Sequence, residues 1–174
     1  NSASLPPLDP EEKRVDALEK MFTFLQGQPY RLILFGGRRE IFLDDVSRYR
    51  NNGQWTDLYF AFDKAREVIK SYPEGTEFRI LLLTDAIHDP DPKDWADMDV
   101  PKDADLKAYS LQKLKGLVAE LKAPLYVILV GNAPTEGARP NDAEQSPQLV
   151  LELVQAANGR KASTTAQSLA AFFK

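Results

Sequence analysis

The sequence predicts an α/β fold of three layers, with a mostly parallel central sheet and helices on both faces. Two observations carry this. Helical and strand periods alternate from end to end, and the strand segments are short, nearly unbroken runs of Ile, Leu and Val. Such runs suit strands covered on both faces, and the intervening stretches of ten or more residues suit crossover helices. A chain of 174 residues, 43% hydrophobic and 28% charged, has the size and balance of one globular domain.

The elements are expected in the following order. Pro10 to Leu25 sets Val15, Leu18, Phe22 and Leu25 at spacings of three and four, one apolar helical stripe. Asp9 serves as its N-cap and Pro10 suits its first turn. After Gly27-Gln28-Pro29, Tyr30 to Phe35 reads as a buried strand closed by Gly36-Gly37, and Glu40 to Val46 as a weaker edge strand. The Asn51-Asn52-Gly53 turn leads into a helix from Thr56 to Tyr72, with Leu58, Phe62, Ala65, Ile69 and Tyr72 along one face. Phe78 to Thr84 is the strongest strand, followed by a Pro- and Asp-rich loop to about Asp103. A helix to Lys122 then turns Leu106, Leu114, Leu117 and Leu121 inward. Leu125 to Val130 is a further buried strand, Ser146 to Ala157 a helix, Lys161 to Ser163 a short strand and Thr165 to Phe173 a terminal helix.

Composition removes several functions. Zero cysteines exclude a disulfide scaffold, a Cys-ligated zinc site and a thiol nucleophile, and a single histidine excludes a multi-histidine metal centre. The lack of cysteine suits an extracytoplasmic domain and a cytoplasmic one alike. A net charge of −4 argues against a general nucleic-acid or anionic-membrane binder. The longest apolar runs fall far short of a membrane span.

In open α/β sheets, ligands gather beyond the carboxyl ends of the strands. The segments there are Gly36-Gly37, Thr84 to Asp91, Gly131 to Gly137, and whatever strand delivers Asn1 to Ser4. Gly36-Gly37-Arg38-Arg39 lacks the glycine spacing of either phosphate-binding loop and reads as a tight turn with exposed arginines. Asp85, Asp89, Asp91, Asp94, Asp97 and Asp99 do not have the period of a calcium loop, and Asp89 to Asp99 reads as a solvated acidic loop. His88 reads as a surface or hydrogen-bonded residue before it reads as a general base. Asp85 stands apart, because it closes the best strand and meets the ligand crevice. Thr56, taken alone, is an N-cap.

Taken together, Asn1-Ser2-Ala3-Ser4, Thr56 ahead of a long helix and Thr84-Asp85 at a strand end resemble the von Willebrand factor A domain family. That family carries a metal-ion-dependent adhesion site built from an Asp-x-Ser-x-Ser loop, a loop threonine and a Thr/Ser-Asp-Gly strand end. The resemblance implies a single A-type domain over residues 1–174, lacking its first strand and the leading aspartate, which would precede Asn1 in a longer polypeptide. It implies metal ligation by Ser2, Ser4, Thr56 and Asp85, with Mg2+ as the ion and Mn2+ or Ca2+ as alternatives. Ala86 stands where the family has glycine. Neutral hydroxyl ligands leave such an ion electron-poor, so the resemblance implies a non-enzymatic protein-binding module whose partner presents a Glu or Asp carboxylate to the metal. Two alternatives are an A-type domain with a degenerate site acting as a structural interaction domain, and a metal-dependent hydrolase using Asp85 with His88 or Asp89. Arg31, Arg38, Arg39, Arg48 and Arg50 cluster in the second- and third-strand region and read as a solvated face, while the acidic loop, if it lies beside the metal, would repel acidic partners or act as an internal plug.

Overall fold

The computed structural model describes residues 18–19, 21–23, 25, 27–44, 55–129, 140–157 and 160–162. The chain is mixed α/β. Five strands are described: β1 (Ile33–Leu34), β2 (Phe42–Leu43), β3 (Ile80–Thr84), β4 (Leu125–Leu129) and β5 (Arg160–Ala162). Three helices accompany them: α1 (Leu58–Lys70), α2 (Leu106–Glu120) and α3 (Pro140–Ala156). None of the described helices is long and apolar enough to cross a membrane.

The strands form two sheets rather than one. β3, β4 and β5 pair in parallel in that order, with Ile80 opposite Leu125 and Thr84 opposite Leu129. β1 and β2 form a separate antiparallel pair, Ile33 opposite Leu43. The expected turn at Gly36-Gly37-Arg38-Arg39 is this connection: both glycines are buried, both arginines are exposed, and Arg38–Glu40 is one turn of 3-10 helix.

Strand periodicity separates two faces of the parallel sheet. Leu82, Leu125 and Val127 share a core with Leu58 and Phe62 of α1, Leu114, Leu117 and Val118 of α2, and Val150, Leu153 and Val154 of α3. Leu81, Leu83 and Ile128 lie together on the opposite face. All three described helices thus cover one face. The helices expected over Pro10 to Leu25 and Thr165 to Phe173 lie outside the described residues, apart from helical backbone at 18–19 and 21–23.

Two helix starts differ from expectation. α3 begins at Pro140 rather than Ser146, so its backbone runs on through Pro147. α1 is capped by Asp57, not opened by Thr56. Asp57 is extended (φ −105, ψ 99), and its carboxylate accepts hydrogen bonds from Tyr59 N and Phe60 N. A carboxylate satisfies orphan N–H groups and favours the positive end of the helix dipole, so Asp outcompetes the neighbouring Thr.

Candidate functional site

Three segments meet beyond the carboxyl ends of β1 and β3. They are the turn after β1, the stretch Trp55 to Asp57 leading into α1, and the loop from Asp85 to Asp105. Backbone hydrogen bonds join them. Asp57 N donates to Gly36 O (2.9 Å), while Thr56 N donates to Asp89 O (3.1 Å) and Asp89 N to Thr56 O (2.7 Å), an isolated antiparallel bridge. Thr56 is therefore held against the loop that Asp85 opens.

Thr56 is 4% exposed. Its hydroxyl makes no hydrogen bond to the described residues, whereas buried hydroxyls ordinarily find a partner. Asp85 is also buried, and its Oδ1 accepts from Ile87 N (3.1 Å), closing an Asx-type turn. Thr84 Oγ1 accepts from Ala86 N (3.0 Å) in the same turn. Ala86 takes φ +63, the left-handed region that disfavours residues with a Cβ. A turn closed in this way wants glycine, and its use of alanine is a local departure from the easiest chemistry. Ser2 and Ser4 lie outside the described residues, so the structure places two of the four expected ligands, Thr56 and Asp85, at one end of the sheet. Among the described residues no group of three or more His, Cys, Asp or Glu side chains could hold a metal ion.

The loop after β3 is not a solvated acidic loop throughout. Asp94 is 8% exposed and Trp95 is 2% exposed. Asp94 Oδ2 accepts from Arg38 N (2.7 Å), and a Cβ added at Gly37 would stand 3.0 Å from that same oxygen. The second glycine therefore gives the turn its close approach to the loop. Arg38 is bound on three sides: Nη1 donates to Asp94 O (3.1 Å) and Asp97 Oδ1 (2.6 Å), and the guanidinium lies 4.9 Å from the centre of the Phe60 ring. Trp95 rests among Tyr59, Phe60 and Tyr109 and donates its indole N–H to Asp57 Oδ2 (2.7 Å). Burial pushes the Asp57 carboxyl up to about 6, against the opposing pull of the Trp95 and backbone donors.

His88 is 1% exposed, with both ring nitrogens occupied. Leu58 N donates to Nδ1 (3.2 Å), which places the proton on Nε2, where it is shared with Ser110 Oγ (2.8 Å). The Ser110 hydroxyl passes its own proton toward Lys107 O (3.0 Å). Burial, with Lys107 adding to it, pushes His88 down to about 3. It is a neutral, hydrogen-bonded spacer between α1 and α2, the plainer of the two expectations for it.

Sequence reasoning missed Asp57, Asp94 and Trp95. Asp57 left one signal: an Asp directly before the Leu58 stripe is as good an N-cap as the Thr before it. Comparison of the chain with protein-family models, with curated proteins and with solved structures found no match in any of the three.

Proposed function

We propose that the chain is a divalent-cation-dependent protein-binding module of the von Willebrand factor A type, in which Thr56 and Asp85, with Ser2 and Ser4, hold an ion that accepts a partner's carboxylate. The observation that carries this reading is the buried Thr56 hydroxyl, without a hydrogen-bond partner among the described residues and pinned by the Asp89 bridge to the loop that Asp85 opens. Hydroxyl and carboxylate oxygens are the donors a hard cation such as Mg2+ prefers. One further feature agrees with it: Ala86 adopts the left-handed conformation at the position where the family carries glycine.

The ion, when bound, supplies an open coordination position for an outside carboxylate. The chain's own residues do the positioning. The Asp57 cap and the Thr56–Asp89 bridge fix the threonine, and the Asx-type turn fixes Asp85. Neither a nucleophile nor a general base is required, in keeping with the occupied nitrogens of His88.

Magnesium titration of the chain, by calorimetry and by thermal melting, tests the reading. A binding heat and a raised melting temperature are expected, both abolished by Thr56→Ala and by Asp85→Ala. An absence of heat and of any melting shift in the unaltered chain would overturn it.

A further inference from the structure

The turn after β1 and the loop after β3 line an open cavity of about 510 Å³, walled by Arg38, Arg39, Lys93, Asp94, Ala96 and Asp97. Three cationic side chains face two carboxylates there. The carboxylates are already engaged: Asp94 Oδ2 accepts from Arg38 N, and Asp97 is ion-paired with the Arg38 guanidinium. Arg38 is engaged in turn by these contacts and by the Phe60 ring. The side chains of Arg39 and Lys93 are different. Both residues are exposed, and neither side chain makes an ion pair or hydrogen bond with the described residues. Within this cavity, Arg38 takes up both carboxylates, which leaves Arg39 and Lys93 as its cations without a partner among the described residues.

A second feature lies at the same end. Trp55, one residue before Thr56, is 40% exposed, whereas the chain's other tryptophan is buried. An exposed tryptophan, together with cations that have no partner among the described residues, is the composition of a protein-docking surface, since Trp and Arg dominate the energetics of such contacts. Unpaired rim charges steer and orient a partner of opposite sign.

We propose that Arg39 and Lys93 form a docking site for an acidic peptide segment, which packs against Trp55 and whose side-chain carboxylates enter this cavity. The proposal rests on the reading of this end of the sheet as the partner-facing one, and it adds a contact that requires no metal. The acidic loop then acts neither as a repelling rim nor as a plug. By tying Asp94 and Asp97 to Arg38, it presents the neighbouring cations.

The test titrates the full chain with acetylated hexaglutamate, with hexalysine and with a short oligothymidylate, following tryptophan fluorescence in chelator and then in magnesium. Hexaglutamate is expected to bind in chelator about tenfold more tightly than hexalysine, and more weakly as salt is raised. Arg39→Glu with Lys93→Glu should abolish that binding while leaving the melting temperature in place. If the reversed charges disturb folding, Arg39→Gln with Lys93→Gln should weaken it by about tenfold. Thr56→Ala should remove only whatever increment magnesium adds. Retained, charge-sensitive hexaglutamate binding with no magnesium increment would uphold this site and overturn the metal reading. Equal binding of the two peptides, undiminished binding by the charge-altered variants, or tighter binding of the oligothymidylate would each overturn the proposal.

Discussion

Replacing Asp57 with Asn puts the balance of forces at the candidate site to a quantitative test. Asp57 has no exposed surface, and burial raises its carboxyl from 3.8 to about 6. The folded state therefore holds the proton more tightly than the unfolded chain does. The resulting stabilisation is fully present below about pH 3.8 and is lost as pH rises through about 6. The full span corresponds to about 3 kcal/mol, of which about 2 kcal/mol falls between pH 4.5 and 7.5. Asn cannot ionise, so Asp57→Asn removes this slope and leaves the contributions of His88 and other groups common to both proteins. The amide keeps an oxygen for Tyr59 N and Phe60 N but turns an N–H toward the Trp95 N–H. That donor facing a donor costs about 1–3 kcal/mol. Near pH 7.5 this cost and the relief of a buried charge largely cancel. At pH 4.5 the relief has gone, and the variant should stand about 2 kcal/mol lower relative to wild type than it does at pH 7.5. Urea unfolding of both proteins at the two pH values, followed by far-UV circular dichroism, measures this directly. A gap that is constant with pH, or one that widens toward pH 7.5, would mean that the three donors outweigh burial and that the account of Asp57 is wrong.

The remaining expectations concern single residues. His88 is the only histidine, so one imidazole signal reports on it. Its folded pKa is depressed from 6.5 to about 3, so its stabilising contribution is present above pH 6.5 and is lost as pH falls toward 3. The NMR shift of that imidazole should stay flat from pH 8 to about pH 4, and a midpoint near 6.5 would show that the ring is not sealed between Leu58 and Ser110. Ala86→Val places a β-branched side chain at φ +63 and should cost about 2 kcal/mol or more in chemical unfolding. Ala86→Gly should change stability by less than about 1 kcal/mol, because relief of strain is offset by a lost methyl contact and a more flexible unfolded chain. Gly37→Ala drives a methyl into Asp94 Oδ2 and should destabilise by about 1–2 kcal/mol. A neutral result there would show that the loop after β3 yields easily.

What could be read in the sequence follows from how local each signal is. The Ile80–Thr84 and Leu125–Leu129 strands were legible because a run of apolar residues bounded by turn formers has few alternatives. The α1 stripe was legible from period alone, although its cap was placed one residue early: Thr56 and Asp57 both suit the position, and only the fold sends Thr56 into a bridge with Asp89. The α3 start was obscured by two prolines, each compatible with a first turn. Trp95 left no periodic trace, since a lone aromatic among aspartates and prolines gains meaning only from Tyr59, Phe60 and Tyr109, which come from other elements. The charge of the loop misled for a related reason. Six aspartates suggest repulsion until Arg38, reaching from a distant turn, takes up two of them.

The antiparallel bridge between Thr56 and Asp89 has a consequence for how this end of the molecule breathes. The contacts that fix it span long stretches of chain: Asp57 to Trp95 crosses 38 residues and Arg38 to Asp94 crosses 56. Each was formed against the entropy of closing a long loop, and each is an isolated contact rather than a rung in a ladder. The parallel sheet has consecutive rungs and a shared apolar core, so its amides open only with the whole fold, while the bridge can part by itself at lower free energy. Hydrogen exchange at the Thr56 and Asp89 amides would therefore follow the order of the rim separately from global stability. A ligand seated there would slow those two amides first, ahead of any change in the strands beneath.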